Sequence, residues 1–221
     1  MTNYLSGIFE QIFYAVHRFV QLITTNPDIS FGVAIILFTL LARICLLPLS
    51  LKQTKATAKM SAIQPEIQKL QAKYKNDPQR QQAEMMKIYK ENNVSPFSGC
   101  LPMLIQFPII ISLFYVFKSI DYQGAGFLWV PDLAQKDPTM ILPIVSGLTT
   151  YFSTKVMQPA TGEAAKQTGM MNIGMSIFFG FMSLQFPGAL VLYWTIGNLI
   201  QMAQSMILNK IYKKPETKPV K

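Results

Sequence analysis

Charge is scarce in this sequence. Only 14% of its 221 residues are Asp, Glu, Lys or Arg, against about a quarter in an ordinary soluble domain. The deficit is uneven: long stretches carry no charge and short ones carry many. Such a distribution disfavours a soluble globular domain and fits a chain that crosses a membrane several times. Histidine occurs once, at His17, and cysteine twice, at Cys45 and Cys100. That supply matches no metal site and no disulfide scaffold, and a Cys45–Cys100 bridge is not expected on a cytoplasmic side. His17 reads as a bystander on its helix rather than a ligand. No internal repeat is evident, which weakens a secondary-transporter reading.

The start of the chain also lacks something. Met1 to Ile23 has no basic n-region, and Glu10, Gln11, His17, Arg18 and Gln21 interrupt its apolar residues, so no secretory signal is expected. Ile8, Phe9, Ile12, Phe13, Val16, Phe19, Val20 and Ile23 fall at helical spacing. Residues 1–28 are therefore expected to form an extracytoplasmic amphipathic helix lying in the membrane interface.

What is present is apolar length. Half of the residues are hydrophobic and the mean hydropathy is +0.26. Apolar segments predict an all-α, polytopic protein with five transmembrane helices over 29–49, 96–117, 139–157, 169–185 and 189–208. Asn26-Pro27-Asp28 signals the start of the first and Pro48 its exit. Residues 50–95 differ in kind. Lysines and arginines dominate there, with sparse apolar residues at helical spacing (Met60, Ile63, Ile67, Leu70, then Met85, Met86, Ile88, Tyr89). Asn76-Asp77-Pro78 divides them, which predicts a helical hairpin outside the bilayer, with Pro65 placed to kink its first arm. Residues 118–138 form an acidic extracytoplasmic loop with Tyr122 and Trp129 as interfacial anchors. Residues 158–168 form a cytoplasmic loop, and 209–221 a basic, disordered cytoplasmic tail.

The net charge of +9 raises nucleic acid as a partner. Most of it lies in two blocks, Lys52 to Lys90 and Lys210 to Lys221, and blocks that flank apolar spans are explained by topology instead. Both belong on the cytoplasmic side, and five spans then put the N-terminus outside. No direct nucleic-acid recognition is expected.

Against this background one residue is costly. Arg43 lies inside the first apolar span, where a central charge costs roughly 2.5 kcal/mol or more. It stands about 9 Å from the inner end of that span at 1.5 Å per residue, a distance that snorkelling covers in part. Thr39 lies one turn before it on the same face. No Asp or Glu occurs in any of the five apolar segments, so the guanidinium must meet water, carbonyls or side-chain oxygens. Gln106 of the second span is a candidate. So are Asn198, Gln201 and Ser205, which share one helix face with Trp194. Each alone could simply bond between helices. Gathered around one arginine, they describe a positively charged, water-filled concavity in the inner half of the membrane. There is no nucleophile pair, general base or metal cluster, so neither an enzyme nor a cofactor is expected. An anion channel with Arg43 as its selectivity charge and a holdase for other membrane proteins are the alternatives. The apolar outer halves of the spans, as in Val33-Ala34-Ile35-Ile36-Leu37, argue against a through-pore.

Three segments then carry a resemblance. Ser98-Gly99-Cys100-Leu101-Pro102-Met103-Leu104-Ile105-Gln106-Phe107-Pro108, Phe127-Leu128-Trp129-Val130-Pro131-Asp132-Leu133 and Phe186-Pro187-Gly188-Ala189-Leu190-Val191-Leu192-Tyr193-Trp194, in order and after Arg43, Pro48 and a basic hairpin, are similar to the YidC family of membrane protein insertases. The likeness spans about Phe31 to Leu208. It implies a five-helix core around a hydrophilic groove, open to the cytoplasm and to lipid but closed outside. It also implies that Arg43 is the groove arginine. Thr39, Tyr193 and Trp194 match positions implicated in groove function or substrate contact, and Gln106 matches a groove-lining one. The implied partners are nascent membrane proteins and the bilayer of the bacterial cell membrane, with the Sec translocon and the ribosome beside them; the hairpin is the implied mobile element. Two departures mark a short form: no cysteine precedes Cys45 to carry a lipid anchor, and no extra N-terminal span or large periplasmic domain is present.

Overall fold

The computed structural model describes residues 2–95, 101–157 and 163–212. The side chains of 2–5, 58, 61, 101–106, 163–168, 209, 211 and 212 also fall outside that description. The all-α expectation holds. Among the described residues there are eight helices: α1 (Thr2–Gln21), α2 (Pro27–Cys45), α3 (Leu47–Lys73), α4 (Pro78–Glu91), α5 (Leu101–Ser119), α6 (Ile141–Met157), α7 (Glu163–Ser183) and α8 (Gly188–Tyr212). By length and composition, Pro27–Cys45 is the one described helix long and apolar enough to cross a membrane. Phe107–Ser119 and Gly169–Ser183 are shorter apolar helical stretches.

Local chemistry sets the helix ends. Asn26 caps α2 by accepting the Asp28 N–H at 2.9 Å, with Pro27 at the first helical position, where its missing N–H has no consequence. At the other end the chain turns at Leu46 alone before α3 begins. Pro48 explains the break, because it lacks an N–H and its ring opposes the carbonyl of Ile44, four residues back. Asp77 caps α4 through the Arg80 N–H at 3.0 Å, so the hairpin divides at Asn76-Asp77-Pro78. α3 continues through Pro65.

The core lies where α1, α2, α5 and α8 meet. α1 runs back along the first part of α2: His17 meets Phe31, and Phe13 and Phe9 meet Phe38. Phe13 also packs edge-on against Phe117 of α5 at 6.0 Å, and such pairs contribute about 0.5–1.5 kcal/mol beyond their burial. His17 is no bystander. Its ring is buried, stacked 4.0 Å from Phe31, with Nε2 3.1 Å from Ser30 Oγ.

Residues 120–140 close one end of this core. Gly126 N–H donates to Asp28 Oδ1 at 2.8 Å, and the first N–H groups of α8, at Gly188 and Ala189, donate to the carbonyls of Gln135 and Leu133. The Phe127 ring packs directly on Gly32, where a Cβ would overlap it. Tyr122 departs from its expected place as an interfacial anchor. It is 1% exposed and packs against Phe31 at 5.3 Å, because the loop folds inward over α2. Trp129 remains partly exposed. Asp137 caps α6, accepting from the Thr139 and Leu142 N–H groups and the Thr139 hydroxyl.

α6 packs on both α7 and α8. Gly147 and Gly180 let α6 and α7 approach until a Cβ on one would touch the Cα of the other at 3.5 Å, beside a Ser146–Ser183 hydroxyl contact of 3.1 Å. Small residues allow such close helix contact. The α3–α4 hairpin has its own small core of Ile63, Ile67, Ile88 and Val94. Met60 and Met85 pack against it, which accounts for two of the hairpin methionines.

Candidate functional site

Arg43 stands in the last turn of α2, where the helix dipole favours a cation. Its Nη1 donates to Gln201 Oε1 of α8 at 2.8 Å, a bond between residues 158 apart in sequence. The guanidinium lies against Gly197, where a Cβ would stand 3.0 Å from Nη2. Glycine there gives the guanidinium room on the face of α8. Tyr193, one turn earlier, is buried and packs against Phe117 at 5.8 Å. No carboxylate of the described residues lies within 4.0 Å of Arg43.

Gln201 joins three helices. While its carbonyl oxygen accepts from α2, its Nε2 faces Met157 Sδ of α6 at 3.9 Å and Ser205 Oγ at 3.5 Å. Three residues on, Gln204 Nε2 donates to Ser50 Oγ at 2.5 Å. The root of the hairpin is thereby tied to the same stretch of α8.

Trp194 and Asn198 take a different partner. Both donate to Thr150 Oγ1 of α6, at 3.1 and 2.8 Å, and the hydroxyl donates in turn to the Ser146 carbonyl at 2.8 Å. The Trp194 ring stacks on Phe179 of α7 at 4.6 Å. Consecutive residues on a helix point about 100° apart, so Tyr193 turns toward α5 and Arg43 while Trp194 turns toward α6 and α7.

Thr39 does not join the cluster. It is fully buried and its hydroxyl donates to its own helix, at Ile35 O, 2.6 Å away; shared helix face did not translate into shared polar contact. The side chain of Gln106 lies outside the described residues, as does Cys100. Cys45 is a free, exposed thiol. Thr150 and Gly197 were missed in the sequence. The spacing of Ser146, Thr150 and Ser153 along α6 was the available signal for the first. Nothing local announced the second, since its role exists only opposite Arg43.

The arrangement pairs a cation with a neutral acceptor. The amide of Gln201 satisfies one donor of the guanidinium but carries no charge, so the cation is hydrogen-bonded without being neutralised. A carboxylate would bind the same fork with charge assistance, roughly twice as strongly as a neutral acceptor.

Comparison with known proteins identifies the family. The sequence model of the family described as 60Kd inner membrane protein matches residues 22–216. The membrane protein insertase YidC of Clostridium tetani is 47% identical over 214 residues, 96% of each chain. That of Clostridium acetobutylicum is 51% identical over 213 residues, 93% of this chain and 84% of the relative. The chain belongs to the YidC family of membrane protein insertases. A crystal structure of an active YidC insertase with its first transmembrane domain resolved superposes with a TM-score of 0.69 at 34% identity, covering 89% of this chain and 46% of that one. The matched family stretch contains Arg43, Thr150, Gly197 and Gln201.

Proposed function

We propose that this protein inserts integral membrane proteins into the cell membrane and assists their folding, using Arg43 as an uncompensated positive charge that draws acidic substrate segments into a half-depth polar groove. In this reading α2, α5, α6, α7 and α8 span the bilayer. The N-terminus lies outside, and the α3–α4 hairpin and the basic tail lie in the cytoplasm, as the excess of Lys and Arg in both favours. Gln106, Trp194, Asn198 and Gln201 are the groove-lining and substrate-contacting residues of the proposal, with Thr39 and Tyr193, buried in the packed helices, supporting them. Its substrates are nascent membrane proteins, with the Sec translocon and the ribosome as accessory partners. One observation carries it: the guanidinium is held by the neutral amide of Gln201 at 2.8 Å and by no carboxylate among the described residues.

A single-span substrate must carry its hydrophilic outer tail across about 30 Å of hydrocarbon. A polar groove in the inner half shortens that path. An acidic tail entering it is attracted to Arg43, and more strongly than in water because the cleft is partly desolvated. The apolar segment leaves sideways into lipid, where its burial supplies about 25 cal/mol per Å². A membrane potential positive outside pulls the acidic tail onward.

The test is reconstitution of the full chain, alone, into phospholipid vesicles with a small single-span substrate bearing an acidic tail. Protection of that tail from added protease is the expected result. Protection no greater than in protein-free vesicles overturns the proposal.

A further inference from the structure

The guanidinium of Arg43 has a partner within the chain, and that partner mimics the group a substrate would bring. Gln201 offers a carbonyl oxygen at 2.8 Å, the same atom type as a carboxylate oxygen but without its charge. The amide is held in place from its other end by weak contacts alone, Met157 Sδ at 3.9 Å and Ser205 Oγ at 3.5 Å. Both distances sit at the long limit for a hydrogen bond. Gly197 leaves the second terminal nitrogen, Nη2, lying against bare backbone.

We propose that Gln201 is a displaceable internal ligand of Arg43, a residue that sets how selectively the groove admits acidic tails. It rests on the function proposed above and deepens it. In the resting state the amide keeps the guanidinium hydrogen-bonded and laid along α8. An arriving Asp or Glu side chain replaces the amide oxygen with a charge-assisted, bidentate contact. A neutral tail residue offers no gain over the amide already present and does not displace it. Gln201 thus turns the field of Arg43 into a threshold that acidic residues cross and neutral polar residues do not. The released amide keeps its Nε2 contact with Ser205, and its carbonyl oxygen, on a side chain that is only partly buried, is the acceptor that water must satisfy.

Residue 201 is well chosen for this. An acidic residue there would neutralise Arg43 permanently, and an apolar one would leave it unliganded. Because Gln204 ties α8 to Ser50 at the root of α3, the exchange occurs beside the joint from which the hairpin departs.

The experiment compares two substrates that differ only in tail charge, one acidic and one with Asn and Gln in place of Asp and Glu. Their insertion is measured in the same vesicles with full-length protein, and the readout is the acidic-to-neutral ratio. Gln201→Glu is expected to lower that ratio by about tenfold, as the attraction of the guanidinium for an acidic tail is cancelled in a partly hydrated site. Gln201→Ala, which frees the guanidinium, is expected to raise insertion of the neutral substrate severalfold while that of the acidic substrate is kept, and so to lower the ratio. An unchanged ratio in Gln201→Glu, including an equal loss for both substrates, overturns the proposal; so does an unchanged or higher ratio in Gln201→Ala. Should Gln201→Glu fail to assemble, the Gln201→Ala result decides alone. Failure of the wild-type protein to insert either substrate counts against the function itself rather than against the role of Gln201.

Discussion

Asn198 of α8 donates to the hydroxyl of Thr150 on α6 at 2.8 Å, and the same oxygen accepts the Trp194 indole. One threonine therefore serves two donors from successive turns of the neighbouring helix. Thr150→Val keeps the shape and removes the acceptor, leaving both donors without it. The expected loss is about 1–2 kcal/mol, the upper part of the range for polar contacts between helices in membranes. Thermal unfolding in detergent should show a lower Tm for Thr150→Val and a near wild-type value for Thr150→Ser.

Arg43 provides the functional counterpart. Arg43→Ala removes the charge and should reduce insertion of acidic-tailed substrates severalfold in the protease-protection assay. Arg43→Lys retains the charge but loses the fork that spans Gln201 and Gly197, so it should keep much of the activity. Equal insertion by wild type and Arg43→Ala would reject the charge-attraction mechanism.

Gly32 is a steric prediction. A methyl group there would overlap the Phe127 ring, so Gly32→Ala must displace that ring and loosen the loop of residues 120–140 from α2. Overpacking of this kind costs about 1–3 kcal/mol. Limited proteolysis should cut that loop faster in Gly32→Ala, and adding Phe127→Ala should restore resistance; no restoration would place the fault elsewhere.

Asp137 gives the pH dependence. Burial works to raise the pKa of its carboxyl, but hydrogen bonds from the Thr139 hydroxyl, the Leu142 and Thr139 N–H groups and the Trp129 indole outweigh it and hold the pKa below the usual 3.8. The folded state therefore binds its proton less readily than the unfolded chain. This contribution is fully present above about pH 4, shrinks as pH falls below that, and is gone once pH has passed through the depressed folded value. Asp137→Asn should flatten the acid limb of a stability-against-pH curve, and an unaltered limb would show that other carboxylates govern it.

Much of the fold was legible because its causes are local. Asn26-Pro27-Asp28 and Asp77-Pro78 carry their own caps, so α2 and α4 begin where their sequences direct. The apolar stretches read as helices because period and length leave few alternatives. Trp194, Asn198, Gln201 and Ser205 lie on one face of α8 by spacing alone. The break at Leu46 was less legible: the first span was drawn through Pro48, whereas the missing N–H ends α2 at Cys45 and sets Arg43 in its last turn.

By itself, then, the sequence determined an all-helical chain with apolar segments, a basic hairpin and one arginine lacking any acid in its own or the other apolar segments. Tertiary structure alone decided what that arginine touches. Its partner lies 158 residues away, and helix packing, not spacing, sets such a contact. Packing also sent Thr39 into its own backbone, drew Tyr122 into the core, gave His17 a buried partner in Ser30, and divided the polar face of α8 between Arg43 and Thr150. A helix face specifies direction only. Which neighbour fills that direction depends on where glycines such as Gly147, Gly180 and Gly197 let the helices close.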